Sequence, residues 1–376
     1  MNRGLYLTLL AGPIVPVPVP RVVIDALTSV QVTTGSGEAS GFQLTFNLST
    51  RSPLHTLFLV TAGQSPLLRV ILAVTIGGTA EVLMDGVVTH HEVAPGSEPG
   101  LAQLTLNGTD LTTLMDLSLF SFDGVPYPAM PPEARVALIL LKYAVLGIIP
   151  IVIPSIPFEV PDPTDRIPKQ EGTDLAYIRE LADDAGYVFY LEAGPVPGTN
   201  RAYWGPEIKV GVPQPALSLD MDAHRNVESM QFGFDNTSTT LPIMVIHEPH
   251  TKLPIPIPLP SINPLQPPLG LVPPLPRRVE KVPNAAKLSP LEALRRVFSI
   301  TTSTGDAVTA SGSLDVTRYG RLLKPRGLVG VRGAGLAYNG LYFVKSVTTT
   351  LKRGECKQSF KLTRNALVSN VPAVPV

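Results

Sequence analysis

The chain has 376 residues, 30 basic and 30 acidic side chains, and hence a formal charge of zero, which supplies no field for nucleic acid or an anionic membrane surface. Such a length exceeds one ordinary core and predicts two to four compact units. Only 16% of residues are charged and 44% are apolar, so much of the surface is expected to be covered by partners, as in an obligate oligomer. The single cysteine, Cys356, excludes an intrachain disulfide and a cysteine-based zinc site, and reads as a strand-start residue rather than a nucleophile.

In chain order, residues 1–21 hold a short apolar run followed by Pro13, Pro16, Pro18 and Pro20. The prolines stand where an export signal needs small residues, so the segment is expected to be an extended, proline-stiffened arm. Residues 22–119 read as β-rich. Phe42, Leu44, Phe46 and Leu48 alternate with Gln43, Thr45 and Asn47 at the period of a half-buried strand, and Asp85-Gly86 is expected to turn a hairpin. Residues 120–213 change to a mixed α/β pattern. Pro131 and Pro132 open a helix that presents Val136, Ile139, Leu140 and Tyr143 and stops at Gly147, and Thr173 caps a second helix that ends at Gly186, with a strand from Tyr187 to Leu191. The apolar stretch 136–156 has the length of a membrane span but is interrupted by Lys142, Gly147, Pro150 and Pro154; no membrane insertion is expected.

Residues 241–307 form a proline-rich connection, with IPIPLP at 255–260 expected as polyproline II, followed by a capping box at Ser289-Pro290-Leu291-Glu292 that starts a helix to about Ile300. Segments 214–240 and 308–366 together form a second β unit. In it Asn339-Gly340 and Lys352-Arg353-Gly354 turn hairpins, and Phe360 and Leu362 alternate with Ser359, Lys361 and Thr363. Residues 367–376 are a tail.

Candidate chemistry is sparse. His247-Glu248-Pro249-His250 spaces its histidines by three rather than four in an extended context, and adjacent His90 and His91 on a strand point to opposite faces, so neither predicts a metal site. Asp162 with Asp165, and Asp220 with Asp222, are carboxylate pairs without an aromatic cleft; Tyr203-Trp204 reads as a turn on a barrel. Gly333-Ala334-Gly335 lacks phosphate-loop spacing, and its glycines are expected to allow close strand packing. No catalytic, cofactor-binding or metal residue is assigned.

The run G-x-L-x-x-x-R-G-x-V-x-V-R-G-x-G from Gly320 to Gly335, the Tyr338–Tyr342 hairpin and the closing Q-S-F-x-L-x-R-N resemble the phage late control gene D family of tail-hub proteins. The resemblance extends to Ser40–Phe46, Leu83–Gly86, Asp110-Leu111, Met115-Asp116, Thr173–Tyr177 and Ala185–Tyr190, and so covers nearly the whole chain. It implies a mainly β fold with α+β insertions: two tube-like β-barrels per subunit, with Gln43–Leu48 and Gln358–Arg364 in their walls, and a small mixed α/β domain between them. It implies a homotrimeric baseplate hub that joins a six-fold inner tube to a three-fold spike in a contractile phage tail or phage-tail-like injection particle. The implied partners are the chain itself, inner tube protein, baseplate components and, because the chain stops at Val376, a spike on a separate polypeptide. The protein would be made in the bacterial cytoplasm and built into a particle, either released or membrane-associated. The competing readings are a cell-wall-degrading tail enzyme and a peripheral receptor-binding module.

Overall fold

A computed structural model describes residues 5–37, 40–48, 52, 58, 68–95, 102–155, 167–219, 225–236, 240–247, 254–258, 266–272, 274–275, 278–281 and 306–371. The chain runs through β1 (Leu5–Gly12), β2 (Val17–Pro18), a helix Arg21–Ala26, β3 (Leu27–Gly35), β4 (Gly41–Leu48), β5 (Arg69–Ile76), β6 (Thr79–Pro95) and β7 (Ala102–Asp110). A mixed segment follows. It contains helices Thr112–Asp116, Pro132–Leu141 and Asp174–Ala185, with β8 (Ile148–Val152), β9 (Val188–Ala193) and β10 (Asn200–Gly205). Then come β11 (Gln214–Ser218), β12 (Val227–Phe234), β13 (Thr240–His247), β14 (Pro254–Pro258), β15 (Gly270–Val272), β16 (Arg278–Lys281) and β17 (Val308–Asp315). The helix Val316–Tyr319, β18 (Leu328–Arg332), β19 (Gly340–Lys352), β20 (Glu355–Arg364) and β21 (Leu367–Ser369) complete the chain. The fold is mainly β with small helical insertions.

Among the described residues thirteen strands form one sheet in the order β12-β17-β20-β19-β3-β4-β7-β6-β5-β1-β2, with β18 and β11 branching from β19. The sheet contains an internal repeat. Strands β3-β4-β7-β6-β5 and β12-β17-β20-β19-β18 follow the same order and the same chain sequence of hairpins, so the chain builds one five-stranded module twice. Irregularities repeat as well. The first ladder of each module shifts register after its opening residue, between Leu27 and Ser29 and between Val227 and Ser229. The ladder that closes each module shifts between Val88 and His90 and between Val344 and Ser346. At that bulge β19 changes partner, leaving β18 and pairing through Ser346–Lys352 with β3 of the other module. One apolar core, including Leu44, Phe46, Leu104, Leu106, Val344, Phe360 and Leu362, underlies both modules. A second core fills the mixed segment, where the helices pack on the sheet β8-β10-β9 around Trp204, Ile178 and Ile139.

Several local expectations are changed by tertiary context. The expected arm is a sheet strand: β1 pairs with β5 from Leu5↔Ile76 to Gly12↔Arg69, because Leu5, Leu7, Leu9 and Ala11 recur at period two and turn toward the core. Asp85-Gly86 lies inside the continuous β6; the hairpin is at Gly77-Gly78, whose φ angles of 58° and 90° fit a tight turn. Gly86 is there because a β-carbon would sit 2.1 Å from the Thr109 carbonyl oxygen. Gly333 and Gly335 have φ of 76° and 80° and shape the loop 333–339, so the β18–β19 connection is longer than the two-residue turn expected at Asn339-Gly340. By contrast, Arg353-Gly354 is a two-residue connection between β19 and β20.

Polyproline II gives way to strand at 254–258, where β14 pairs antiparallel with β13. Pro254, Pro256 and Pro258 recur every second residue on this edge strand, so the N–H groups they lack can all be on the side away from β13. Central β13 contains Pro242 only where it pairs with β16, and its ladder with β14 begins at Ile243. Trp204 lies in β10 rather than a turn, fully buried, with its indole N–H donating to the Ile178 carbonyl at 3.3 Å. The helix 132–141 buries Val136, Ile139 and Leu140, with Tyr143 just beyond, and the chain reaches Gly147 through a 3-10 turn. Thr173 caps the helix Asp174–Ala185, accepting from the Ala176 N–H, and Gly186 ends it with φ 68°. The expected helix 289–300 lies outside the described residues.

Candidate functional site

Strand alternation gives the large sheet a core face and a polar face. On β20, Phe360 and Leu362 are buried while Ser359 and Lys361 are exposed. Register then aligns the polar residues across strands. One row runs Ser229, Ser313, Ser359, Thr348, Thr33; another runs Lys357, Thr350, Gln31, Gln43, Asn107, His90. Both rows cross the β19–β3 junction, so the face belongs to both modules. Hydrogen bonds knit it: Ser229 with Ser313 at 2.9 Å, Thr33 with Thr348 at 3.0 Å, and Gln43 Nε2 donating to Asn107 Oδ1 at 3.0 Å.

A groove of about 520 Å³ opens on the second module's part of this face, between Gln231, Ser311, Ser346 and Lys361. Most of its lining residues are serine, threonine or glutamine, whose hydroxyl and amide groups hydrogen-bond water and peptide alike without a strong field of either sign. Lys357, at the end of one row, has its ammonium held above the usual lysine value by hydrogen bonds to Glu355 and Glu228.

Buried polar groups fix the modules against the mixed segment. Arg69 on β5 donates to both carboxylate oxygens of Asp85 on β6, at 2.7 and 2.6 Å. Its guanidinium also reaches the carbonyls of Leu146 at 2.9 Å and Gly198 at 3.3 Å, and Asn200 Nδ2 donates to Asp85 at 2.8 Å. One ion pair thus joins the first module to β10 and the 3-10 turn. Lys209 meets Asp306 at 2.8 Å and Glu207 at 3.4 Å, and Glu207 accepts from Ser36 at 2.5 Å. Burial alone would lower the Lys209 ammonium, but the two carboxylates outweigh it and raise it. Arg326 lies over the Tyr190 ring at 3.8 Å and donates to the Gly35 carbonyl at 2.6 Å, bridging the second module, the mixed segment and the first.

The candidate chemistry read from the sequence is dispersed. His90 and His91 are both exposed beside the bulge of β6. Cys356 is buried in β20, and burial first, with Asp315 nearby, pushes its thiol up to about 12. Of the motif His247–His250 only the backbone of His247 is described, and both aspartate pairs, 162/165 and 220/222, lie outside the described residues. Among the described residues no three metal-ligating side chains cluster, and no helix is long and apolar enough to cross a membrane. Sequence reading missed Arg69, because a buried arginine has no local signature when its partner lies more than ten residues away; Arg326 stands in the Gly320–Gly335 run, but its partners could not be read from it.

No family model and no curated protein matches the chain. Solved structures do. The tail protein from Neisseria meningitidis MC58 aligns over 96% of this chain and 97% of its own, with TM-score 0.60 and 14% identity. The fold is that of phage tail proteins. The 43 kDa tail protein of prophage MuSo2 from Shewanella oneidensis aligns over 96% of this chain and 98% of its own, with TM-score 0.59 and 14% identity. The E. coli c3393 protein, a component of the type VI secretion system, aligns over 92% of this chain and 76% of its own, with TM-score 0.54 and 11% identity. The tail-protein fold thus spans nearly all of the chain, modules and mixed segment together.

Proposed function

We propose that this chain is a structural baseplate hub of a phage tail or a related contractile injection particle. It acts as a homotrimer whose six modules, two per chain, form a ring between a six-fold inner tube and a three-fold spike. The observation that carries this reading is the duplicated module. Its internal junction joins two different edges, β19 of one copy and β3 of the other, and such heterologous contacts close into rings when the rotation permits. Three chains with two equivalent modules each offer six near-equivalent positions to a six-fold partner while keeping true three-fold symmetry for the spike. The likeness to tail proteins supports the same placement.

In this ring the apolar face of each module faces its own core, and the hydroxyl- and amide-rich face lines the channel. The role is assembly and transmission of force; the buried ion pairs that tie modules to the mixed segment keep the ring stiff under load. Electron microscopy of particles from a strain lacking the gene tests this. The hub reading predicts loss of assembled particles, restored by complementation, whereas particles of normal length would contradict it.

A further inference from the structure

Among the described residues the repeat leaves one complementary pair of edges without partners. In β19 the bulge frees Ser346–Lys352 from β18, and that stretch pairs with β3. The counterpart bulge in β6 frees the residues from His90 to Pro95 from β5, and β12 is the counterpart of β3. Among the described residues neither edge has a strand beside it. Long unpaired edges are aggregation hazards that folded proteins cover.

Exposure separates the two ends from the internal junction. Thr349 and Val32, opposite each other within the chain, are 4% and 2% exposed. Val93, the counterpart of Thr349 when the two bulges are superposed, is 48% exposed, and Phe232, the counterpart of Val32, is half-buried.

We infer that β6 of one chain pairs antiparallel with β12 of a second copy, in the register of the internal β19–β3 junction. Transferring that register, with Thr348↔Thr33, Thr349↔Val32 and Thr350↔Gln31 as the template, sets Glu92 opposite Gly233, Val93 opposite Phe232 and Ala94 opposite Gln231. Val93 and Phe232 then fall on the core side of the seam, and Glu92 and Ala94 continue the polar face. The inference rests on the ring reading above and adds its seam.

Paired cysteines test it. Ala94→Cys with Gln231→Cys places one thiol on each edge, on the same face and directly opposed; Ala94→Cys with Phe232→Cys shifts the register by one residue and puts the thiols on opposite faces. Buried Cys356 does not compete. Oxidation of the full-length chain is followed on non-reducing gels, with mass measured in parallel by light scattering. The expected result is a discrete covalent trimer from the first pair and none from the second. A non-covalent oligomer that fails to cross-link with the first pair overturns the seam and leaves the hub reading standing. Cross-linking by both pairs, or a monomer that cross-links with neither, also overturns the seam.

Discussion

At Arg69 and Asp85 the chain buries a bidentate ion pair with carbonyl and amide partners from the mixed segment. Removing one member strands the other charge in the interior. Arg69→Met is expected to cost about 3–5 kcal/mol, while Arg69→Met with Asp85→Leu recovers most of it; urea denaturation midpoints check this. Asp110 gives a pH-dependent case. Its carboxylate is buried and its pKa raised, by burial first, against the lowering effect of hydrogen bonds from Thr112. Because the folded pKa lies above the unfolded one, ionised Asp110 destabilises the fold above its folded pKa, and the penalty fades as pH falls toward the usual aspartate value of 3.8. Asp110→Asn keeps an acceptor for the Thr112 N–H. It is expected to melt at or above the wild-type temperature at pH 7, with the difference closing toward pH 4. Arg364, fully buried over the Tyr342 ring, donates to the Asn339 and Ala337 carbonyls at 2.8 Å and pins the loop 333–339.

Among elements, the helices Pro132–Leu141 and Asp174–Ala185 were the most legible. The Thr173 cap and Gly186 stop each have a local signature, and the apolar residues at helical spacing between them, Leu175, Ile178, Ala182 and Ala185, are buried. Thr173→Ala is expected to cost about 1 kcal/mol, visible as a lowered thermal midpoint. Strands were legible as alternation, but their turns were not always so. Asp85-Gly86 carries a hairpin signal that the β6–β7 ladder overrides, and only the close approach of Thr109 explains its glycine. Gly86→Ala forces β6 away from β7, and an overpacking loss of about 1–3 kcal/mol or more is expected in denaturation. The internal repeat was not legible from residues alone. Counterparts such as Gln43 and Ser311, or Asn107 and Lys361, share only a polar character set by strand period, and equivalence emerges from register and bulges rather than identity. The prolines of β14 misled for a related reason: composition argued against a strand, while their spacing suits an edge.

Across the whole molecule, two modules in one sheet, a shared polar face and buried clamps to the mixed segment suit the proposed role as one wedge of a larger ring. Low charge fits this, because a chain that buries edges and faces in an assembly has less surface to solvate. The most direct measurement is end-on electron microscopy of the purified oligomer, with its mass determined independently. The account predicts a closed ring of three chains with six similar lobes around a central channel. A monomer, an open filament, or a ring whose lobes number the same as its chains would contradict it.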